Sequence, residues 1–247
     1  GVVKGLSAVG MSVLGYNKGK FPLTEVIDLP LGYTSGASAT QLINQYYNKF
    51  KPIEFNEVKI MYLHAHGPGI LHTKKEVFKL EDLKGFRVRC TGTAAVVVKF
   101  LGGVPVSLPM GETYDALSRG MVDGSMGPME SLEGWRWGEV VKFTTESYGS
   151  AYSSGFFVAM NKDKWNSLPV DIQKIIEAVN QEGINKTGNL WDDIDKSGRK
   201  FTTERGNKII PLSKEENQKW SKAVTPILDE YSKAMKEKIL PGEEALK

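Results

Sequence analysis

Alternating and helical patterns of hydrophobic residues divide the first two thirds of the chain into short strands and helices. Residues 86–90, Phe-Arg-Val-Arg-Cys, alternate apolar and basic side chains with the period of two that is typical of a β-strand. Because strands and helices alternate along the chain, the pattern predicts an α/β fold with a mostly parallel sheet. Further strands are predicted at residues 57–65, 104–108 and 152–160, and helices at residues 37–50, 94–101 and 112–119.

The last third of the chain has the pattern of long amphipathic helices. Apolar side chains recur with the spacing of one helix face at Ile172, Ile175, Ile176 and Val179. We expect this helix to begin near Pro169 and to extend as far as Arg199. Ser213 and Glu216 form a capping-box pair that starts a further helix, which Pro226 should interrupt.

Composition and charge are those of an ordinary globular protein. The chain has 247 residues, 40% hydrophobic and 25% charged, with a net charge of +3. No dense basic run is present, so a nucleic-acid partner is not expected. No apolar segment approaches the ~18 residues of a membrane helix, and the first residues lack the regions of a signal peptide. The single cysteine, Cys90, cannot form a disulfide within the chain and is interpreted as a core residue.

The sequence carries no recognisable catalytic constellation. It lacks a phosphate-binding loop, a nucleophile elbow and a dinucleotide fingerprint, so we expect neither an enzyme nor a cofactor. His64 and His66 share one face of a strand and could ligate a metal, but no carboxylate or thiolate has matching ligand spacing. Asp123 and Glu130 could act in acid–base chemistry, although solvated surface is the simpler interpretation.

Arg89 stands at the end of a predicted strand, just before a helix expected to start near Thr93. Ligands of open α/β sheets bind beyond the carboxyl ends of the strands, and free helix amides attract anions. A guanidinium at that place matches a carboxylate in bidentate fashion. An ion pair between Arg89 and a surface acid fits the periodicity equally well.

Six segments together resemble the substrate-binding proteins of TRAP transporters of the DctP type. The central one is Leu-Lys-Gly-Phe-Arg-Val-Arg at residues 83–89, and the others lie at residues 15–30, 101–106, 112–117, 120–124 and 165–169. The resemblance implies two α/β lobes of a periplasmic-binding-protein-like fold, joined by hinge strands and a long helix that both lobes share. It places residues 1–66 and 153–193 in lobe 1, and residues 67–152 and 194–247 in lobe 2.

The resemblance also implies a function. The expected protein is a monomeric periplasmic receptor that closes on a small organic acid and delivers it to the TRAP membrane subunits. Family members carry a further segment before the first motif, so we expect an N-terminal part of lobe 1, and a signal peptide upstream, to be missing here. A two-lobed sensor or enzyme domain on the same scaffold is the alternative.

The expected ligand-binding residues follow from the same resemblance. The carboxylate of the ligand should contact Arg89, and the neighbouring candidates are Tyr16, His66, Met110, Tyr114, Met126, Gly127, Met129, Glu130 and Phe156. Gly127 stands where sialic-acid-binding members have an asparagine, and Gly69 lies near the position of their second arginine. The loss of these polar groups predicts an aromatic or branched monocarboxylate or 2-oxo acid, and argues against a sugar acid or a dicarboxylate.

Overall fold

The computed structural model describes residues 1–17 and 19–246. Nine strands are found in this part of the chain: β1 Val9–Val13, β2 Val58–Ala65, β3 Ile70–Thr73, β4 Arg87–Cys90, β5 Val104–Ser107, β6 Gly124–Gly127, β7 Phe143–Glu146, β8 Gly155–Asn161 and β9 Lys208–Pro211. The α-helices are α1 Gly36–Phe50, α2 Ala94–Phe100, α3 Thr113–Ser118, α4 Ser131–Gly134, α5 Lys162–Asn166, α6 Val170–Glu204, α7 Lys214–Val224, α8 Pro226–Glu237 and α9 Gly242–Ala245.

The strands form two separate sheets. The first has three strands in the order β1-β8-β2, all antiparallel, and the second has six in the order β5-β4-β6-β3-β7-β9. In the second sheet β4 runs parallel to β5 and β6, and β7 runs parallel to β9, whereas β3 is antiparallel to both of its neighbours. The second sheet is therefore mostly parallel, as expected, because every strand in it except β3 runs in one direction, whereas the first sheet is entirely antiparallel. The alternation of strands and helices did not predict the direction of β3, because the chain reaches β3 directly from β2 in the other sheet, without an intervening helix.

Three chain crossings connect the sheets: short segments between β2 and β3 and between β7 and β8, and the helix α6 between β8 and β9. The two short crossings are hydrogen-bonded to each other, since the amide of Gly69 donates to the carbonyl of Tyr152 across 2.7 Å. The hydroxyl of Ser153 donates to the carbonyl of His66 across 2.7 Å. The paired crossings form the hinge strands expected between two lobes.

The long helix α6 has 35 residues, and its side chains bond to segments that lie next to each of the two sheets. Asp192 caps the start of α1, because its Oδ1 accepts from the amide of Gly36 across 2.6 Å. One turn later, Oδ1 of Asp195 accepts from the amide of Glu130 across 2.8 Å, next to the second sheet. The expected α/β fold of two lobes, with hinge strands and a shared long helix, is thus confirmed.

The apolar stripe that predicted α6 is largely exposed near its start. Ile175 and Val179 are 58% and 59% exposed, so the spacing identified a helix correctly but not a buried face. The predicted helix start at Ser213 and the predicted break at Pro226 are both found in the structure. The hydroxyl of Ser213 accepts from the amide of Glu216, and α7 ends at Val224, just before Pro226 begins α8.

The C-terminal helix α8 lies next to the first sheet, although the resemblance places it in lobe 2. The hydroxyl of Tyr231 in α8 donates to the carbonyl of Leu23 across 3.1 Å, close to the first sheet. The expected lobe boundaries, at residues 66/67, 152/153 and 193/194, remain a prediction. Lys18 and Lys247 belong to those spans but lie outside the described residues.

Candidate functional site

A cavity of about 640 Å³ lies between the two sheets. Its walls come from both sheets, the hinge strands and α6. The residues that line it are Met11, Val13, Tyr16, His64, His66, Arg89, Thr91, Pro109, Met110, Gly111, Met126, Gly127, Pro128, Glu130, Trp135, Tyr152, Ser154, Phe156 and Trp191. The structure therefore brings together all residues of the predicted site except Tyr114 and Met129.

Arg89, at the end of β4, is a buried cation with unused hydrogen-bonding capacity. Its side chain is 97% removed from solvent, with 3% of the residue exposed. Nε donates to the carbonyl of Leu108 across 2.9 Å, and Nη1 lies 3.5 Å from Sδ of Met110. Nη2 has no protein partner within the described residues. A buried, unsatisfied guanidinium nitrogen is costly, and a ligand carboxylate would supply the missing acceptor and the opposite charge.

The ion pair considered as an alternative for Arg89 is made by Arg87, at the start of the same strand. Nη2 of Arg87 lies 2.9 Å from Oδ1 of Asp123, at the surface. The guanidinium of Arg87 lowers the pKa of Asp123 by hydrogen bonding. Asp123 is therefore a surface partner of Arg87, whereas Arg89 lines the cavity.

The amides at the start of α2 do not contribute to an anion site, contrary to expectation. The helix begins at Ala94 and has only 7 residues. Its first amides are already used by the preceding turn, with donations from Ala94, Ala95 and Val96 to the carbonyls of Thr91, Gly92 and Thr93 at 3.2, 3.2 and 2.9 Å. Among the described residues that line the cavity, Arg89 is the one with a permanent positive charge.

Aromatic rings form the opposite wall of the cavity. The ring of His64 stacks on Phe156 with centroids 4.6 Å apart, and the ring of Trp191 lies 5.5 Å from that of Phe156. The indole nitrogen of Trp191 donates to Nδ1 of His64 across 3.1 Å. Burial lowers the pKa of His64 and of His66 to about 4, so both imidazoles are neutral at physiological pH. Trp191 was missed because it lies in a polar helix segment far from the family's motifs.

The places where polar side chains of some relatives would project are filled by aromatic rings here. A Cβ added to Gly127 would lie 2.8 Å from the ring of Trp137, which is fully buried. A Cβ added to Gly69 would collide with the ring of Tyr152. Neither glycine leaves extra space in the cavity, because the rings of Trp137 and Tyr152 occupy it.

Glu130 brings an acidic group to the cavity. Burial raises its pKa, and the hydroxyl of Ser131 lies 3.2 Å from its Oε2. Its backbone is held by Asp195, whose own pKa rises to about 7 through burial and the nearby charges of Glu130 and Asp192. Glu130 is thus a cavity residue as predicted for the ligand site, and the interpretation of it as solvated surface is wrong.

Two candidates lie outside the cavity. The hydroxyl of Tyr114 donates to Oε2 of Glu139 across 3.2 Å, and the guanidinium of Arg136 covers its ring. The position of Tyr114 on α3 therefore turns it toward this surface pair. Met129 is 5% exposed and packs in a core cluster with Trp137. Tyr16 lines the cavity but is 49% exposed, at its edge.

Among residues 1–17 and 19–246, no three His, Cys, Asp or Glu side chains are grouped so that they could hold a metal ion. Cys90 is fully buried, and burial raises the pKa of its thiol to about 11, as expected for a core residue. No helix in the described part of the chain is both long and apolar enough to cross a membrane.

Comparison with known proteins places the chain in one family. The DctP family, described as bacterial extracellular solute-binding protein, family 7, matches residues 1–234. A C4-dicarboxylate-binding periplasmic protein from Rhodobacter capsulatus is 25% identical over 84% of this chain, and the chain spans 63% of that relative. A monocarboxylate 2-oxoacid-binding periplasmic protein from Nostoc is 30% identical over 64% of this chain and 43% of its own length.

Solved structures of TRAP solute-binding proteins share the fold over nearly the whole chain. One from Rhodoferax ferrireducens, in complex with copurified benzoate, has a TM-score of 0.93 and 28% identity, covering 99% of this chain and 78% of its own. One from a marine metagenome, specific for aromatic acid ligands, has a TM-score of 0.93 and 27% identity, covering 99% and 79%. One from Desulfovibrio salexigens has a TM-score of 0.88 and 32% identity, covering 100% and 77%.

Proposed function

The chain belongs to the DctP family of bacterial extracellular solute-binding proteins, and on that basis we propose that it is a receptor for an aromatic monocarboxylate. Proteins of this family, and the solved structures that share its fold, are transport proteins that bind solutes rather than enzymes. The receptor would hold its ligand in the cavity between the sheets and deliver it to the membrane subunits of a TRAP transporter. We expect it to act in the periplasm, as a monomer, after removal of a signal peptide.

One observation carries the proposal, namely the buried guanidinium of Arg89 with its unpartnered Nη2. A carboxylate is the group whose geometry and charge complete a guanidinium best. The fixed position of Arg89 between Leu108 and Met110 gives the ligand a single orientation, with its acidic end at the second sheet.

The rest of the cavity favours an aromatic body over a second charge. Phe156, Trp191 and Tyr152 present rings to the ligand, and offset or edge-to-face ring pairs add to the free energy of burial. A dicarboxylate would bring its second charge toward these rings and toward the acidic side chain of Glu130, without a second described cation to meet it. The benzoate and aromatic-acid complexes of the Rhodoferax and marine structures support the same ligand class.

A thermal-shift screen of organic acids tests the proposal. Benzoate, hydroxybenzoates, mandelate and phenylacetate are expected to raise the midpoint of unfolding, because a ligand that binds only the folded protein stabilises it. Branched 2-oxo acids form a second group, and succinate, malate and glucuronate form the comparison group. Stabilisation by the comparison group alone would overturn the aromatic assignment.

A further inference from the structure

We infer that His66 selects for a hydroxyl group on the ligand, so that the receptor prefers hydroxylated aromatic monocarboxylates to their unsubstituted and 2-oxo counterparts. This inference rests on the proposed function and concerns the same cavity. It follows from the hydrogen-bond partners of two imidazoles that line the wall next to Phe156.

The partner of Nδ1 decides the tautomer of His66. Nδ1 lies 2.5 Å from the carbonyl oxygen of Gly67, which can only accept a hydrogen bond. Nδ1 must therefore carry the proton. The ring is neutral at physiological pH, because burial lowers its pKa to about 4. Nε2 of His66 is consequently a bare acceptor, and no described protein group donates to it.

The backbone of the hinge holds this ring in place. Ser153 donates to the carbonyl of His66 across 2.7 Å, and the ring of Tyr152 meets that of His66 edge to face at 5.5 Å. The imidazole also lies edge to face with Trp191, at 6.1 Å. With its ring held on these sides and Nδ1 occupied, His66 offers Nε2 as its remaining polar atom in the cavity lining.

His64 has the opposite tautomer. The indole nitrogen of Trp191 can only donate, and its bond to Nδ1 of His64 requires that nitrogen to be bare. The neutral ring of His64 therefore carries its proton on Nε2, which is a donor. The two histidines thus differ in hydrogen bonding: Nε2 of His64 can donate to a ligand, whereas Nε2 of His66 can accept from one.

The acceptor at His66 discriminates among ligand oxygens. A hydroxyl can donate to Nε2, whereas a 2-oxo or methoxy oxygen has no proton to give and would place two lone pairs in contact. Sites that hydrogen-bond a ligand hydroxyl reject analogues that lack it, because a buried polar group is then left unpaired. A 2-oxo oxygen therefore gains no hydrogen bond from Nε2 of His66.

Calorimetric titrations at pH 7.5 with matched ligands test the inference. The sets are each hydroxybenzoate isomer with its methoxybenzoate and with benzoate, and mandelate with phenylglyoxylate and phenylacetate. At least one hydroxylated acid is expected to bind about tenfold more tightly than its methoxy, oxo and unsubstituted counterparts, as for one hydrogen bond of ~1.4 kcal/mol. If no hydroxylated acid binds more tightly than its counterparts, the inference is wrong, while binding of benzoate would leave the proposed function intact.

Variants assign the preference to His66. His66→Phe keeps a ring of similar shape but removes the acceptor, so the ratio of the affinity for a hydroxylated acid to that for benzoate should fall to about one. His66→Gln retains an acceptor oxygen and should keep part of the preference. The control is Tyr114→Phe, which removes a hydroxyl outside the cavity and should leave the preference in place. A preference that persists in His66→Phe would assign it to another residue and overturn the inference.

Discussion

Nε of Arg89 donates to the carbonyl oxygen of Leu108 across 2.9 Å, and this bond orients a guanidinium that has no acidic partner among the described residues. The carbonyl holds one edge of the planar group. Nη2 remains without a protein acceptor. The positive charge of Arg89 is therefore buried at the cavity, and a ligand carboxylate would neutralise it.

Replacement of Arg89 should nearly abolish ligand binding. Arg89→Ala is expected to weaken benzoate binding by ~2–5 kcal/mol, because the ligand carboxylate loses its charged partner. Arg89→Lys should restore little, since an ammonium cannot both bond Leu108 and grip a carboxylate with a fork. Calorimetric titration measures both effects. Arg87→Ala is the matched control on the same strand, because its ion pair with Asp123 is at the surface, and near-normal affinity in Arg89→Ala would remove Arg89 from the site.

A side chain at residue 127 should destabilise the protein rather than extend its specificity. Gly127→Asn would place a Cβ 2.8 Å from the buried ring of Trp137, and overpacking of this kind costs about 1–3 kcal/mol. Urea denaturation measures the change in the free energy of unfolding. Gly111→Asn is the control, because Gly111 also lines the cavity but has open space around its Cα. Equal stability of the two variants would contradict the close packing at Trp137.

Asp195 should make the stability of the protein depend on pH. Its pKa of about 7 in the folded protein exceeds the value of about 3.9 in an unfolded chain, so the folded state holds the proton more tightly. Its contribution is complete below pH 4 and is lost as the pH rises through 7. Asp195→Asn removes this loss and can still accept from the amide of Glu130.

Urea denaturation between pH 5 and 8 measures this effect. The free energy of unfolding of Asp195→Asn, minus that of the original protein, should rise with pH over this range. Asp193→Asn is the control, since Asp193 is exposed and pairs with Lys196 on the same helix. A difference that stays constant with pH for Asp195→Asn would show that the carboxyl is ionised throughout.

The two lobes should close on the ligand, and a contact between two glycines marks where they meet. A Cβ added to Gly15, which follows β1, would lie 3.3 Å from Cα of Gly92, which follows β4. Domain closure around a cleft is a common response to ligand. Benzoate should therefore reduce the radius of gyration measured by small-angle scattering.

A bulkier residue at that contact should oppose closure. Gly15→Val is expected to weaken benzoate binding about tenfold, as for ~1.4 kcal/mol of strain where the two glycines approach each other. Lys4→Ala, a surface change near the same sheet, serves as the control. Unchanged affinity in Gly15→Val, or an unchanged radius with proven binding, would contradict closure at this place.

Local sequence determined most of the elements and the anchor of the site. The period of two in residues 86–90 gave β4 to within one residue, because alternation of exposed Arg87 with buried Val88 is a property of a strand in any fold. The helix face beginning at Ile172 and the proline at residue 226 gave α6 and the break between α7 and α8 for the same reason. The motifs around Arg89 identified the family. The guanidinium of this one residue also predicted a carboxylate as the group that the site binds.

Only the tertiary structure decided the direction of β3, the presence of Trp191 in the cavity wall, and which ring nitrogen of His66 carries the proton. The antiparallel pairing of β3 with β6 and β7 depends on the direction in which the chain enters the second sheet after β2, and a period of two is the same for parallel and antiparallel strands. Trp191 reaches the cavity because α6 passes beside β2, more than one hundred residues away in sequence. The tautomer of His66 depends on a carbonyl 2.5 Å from its ring. Such facts arise from contacts between distant segments, and local patterning cannot encode the distance between two side chains.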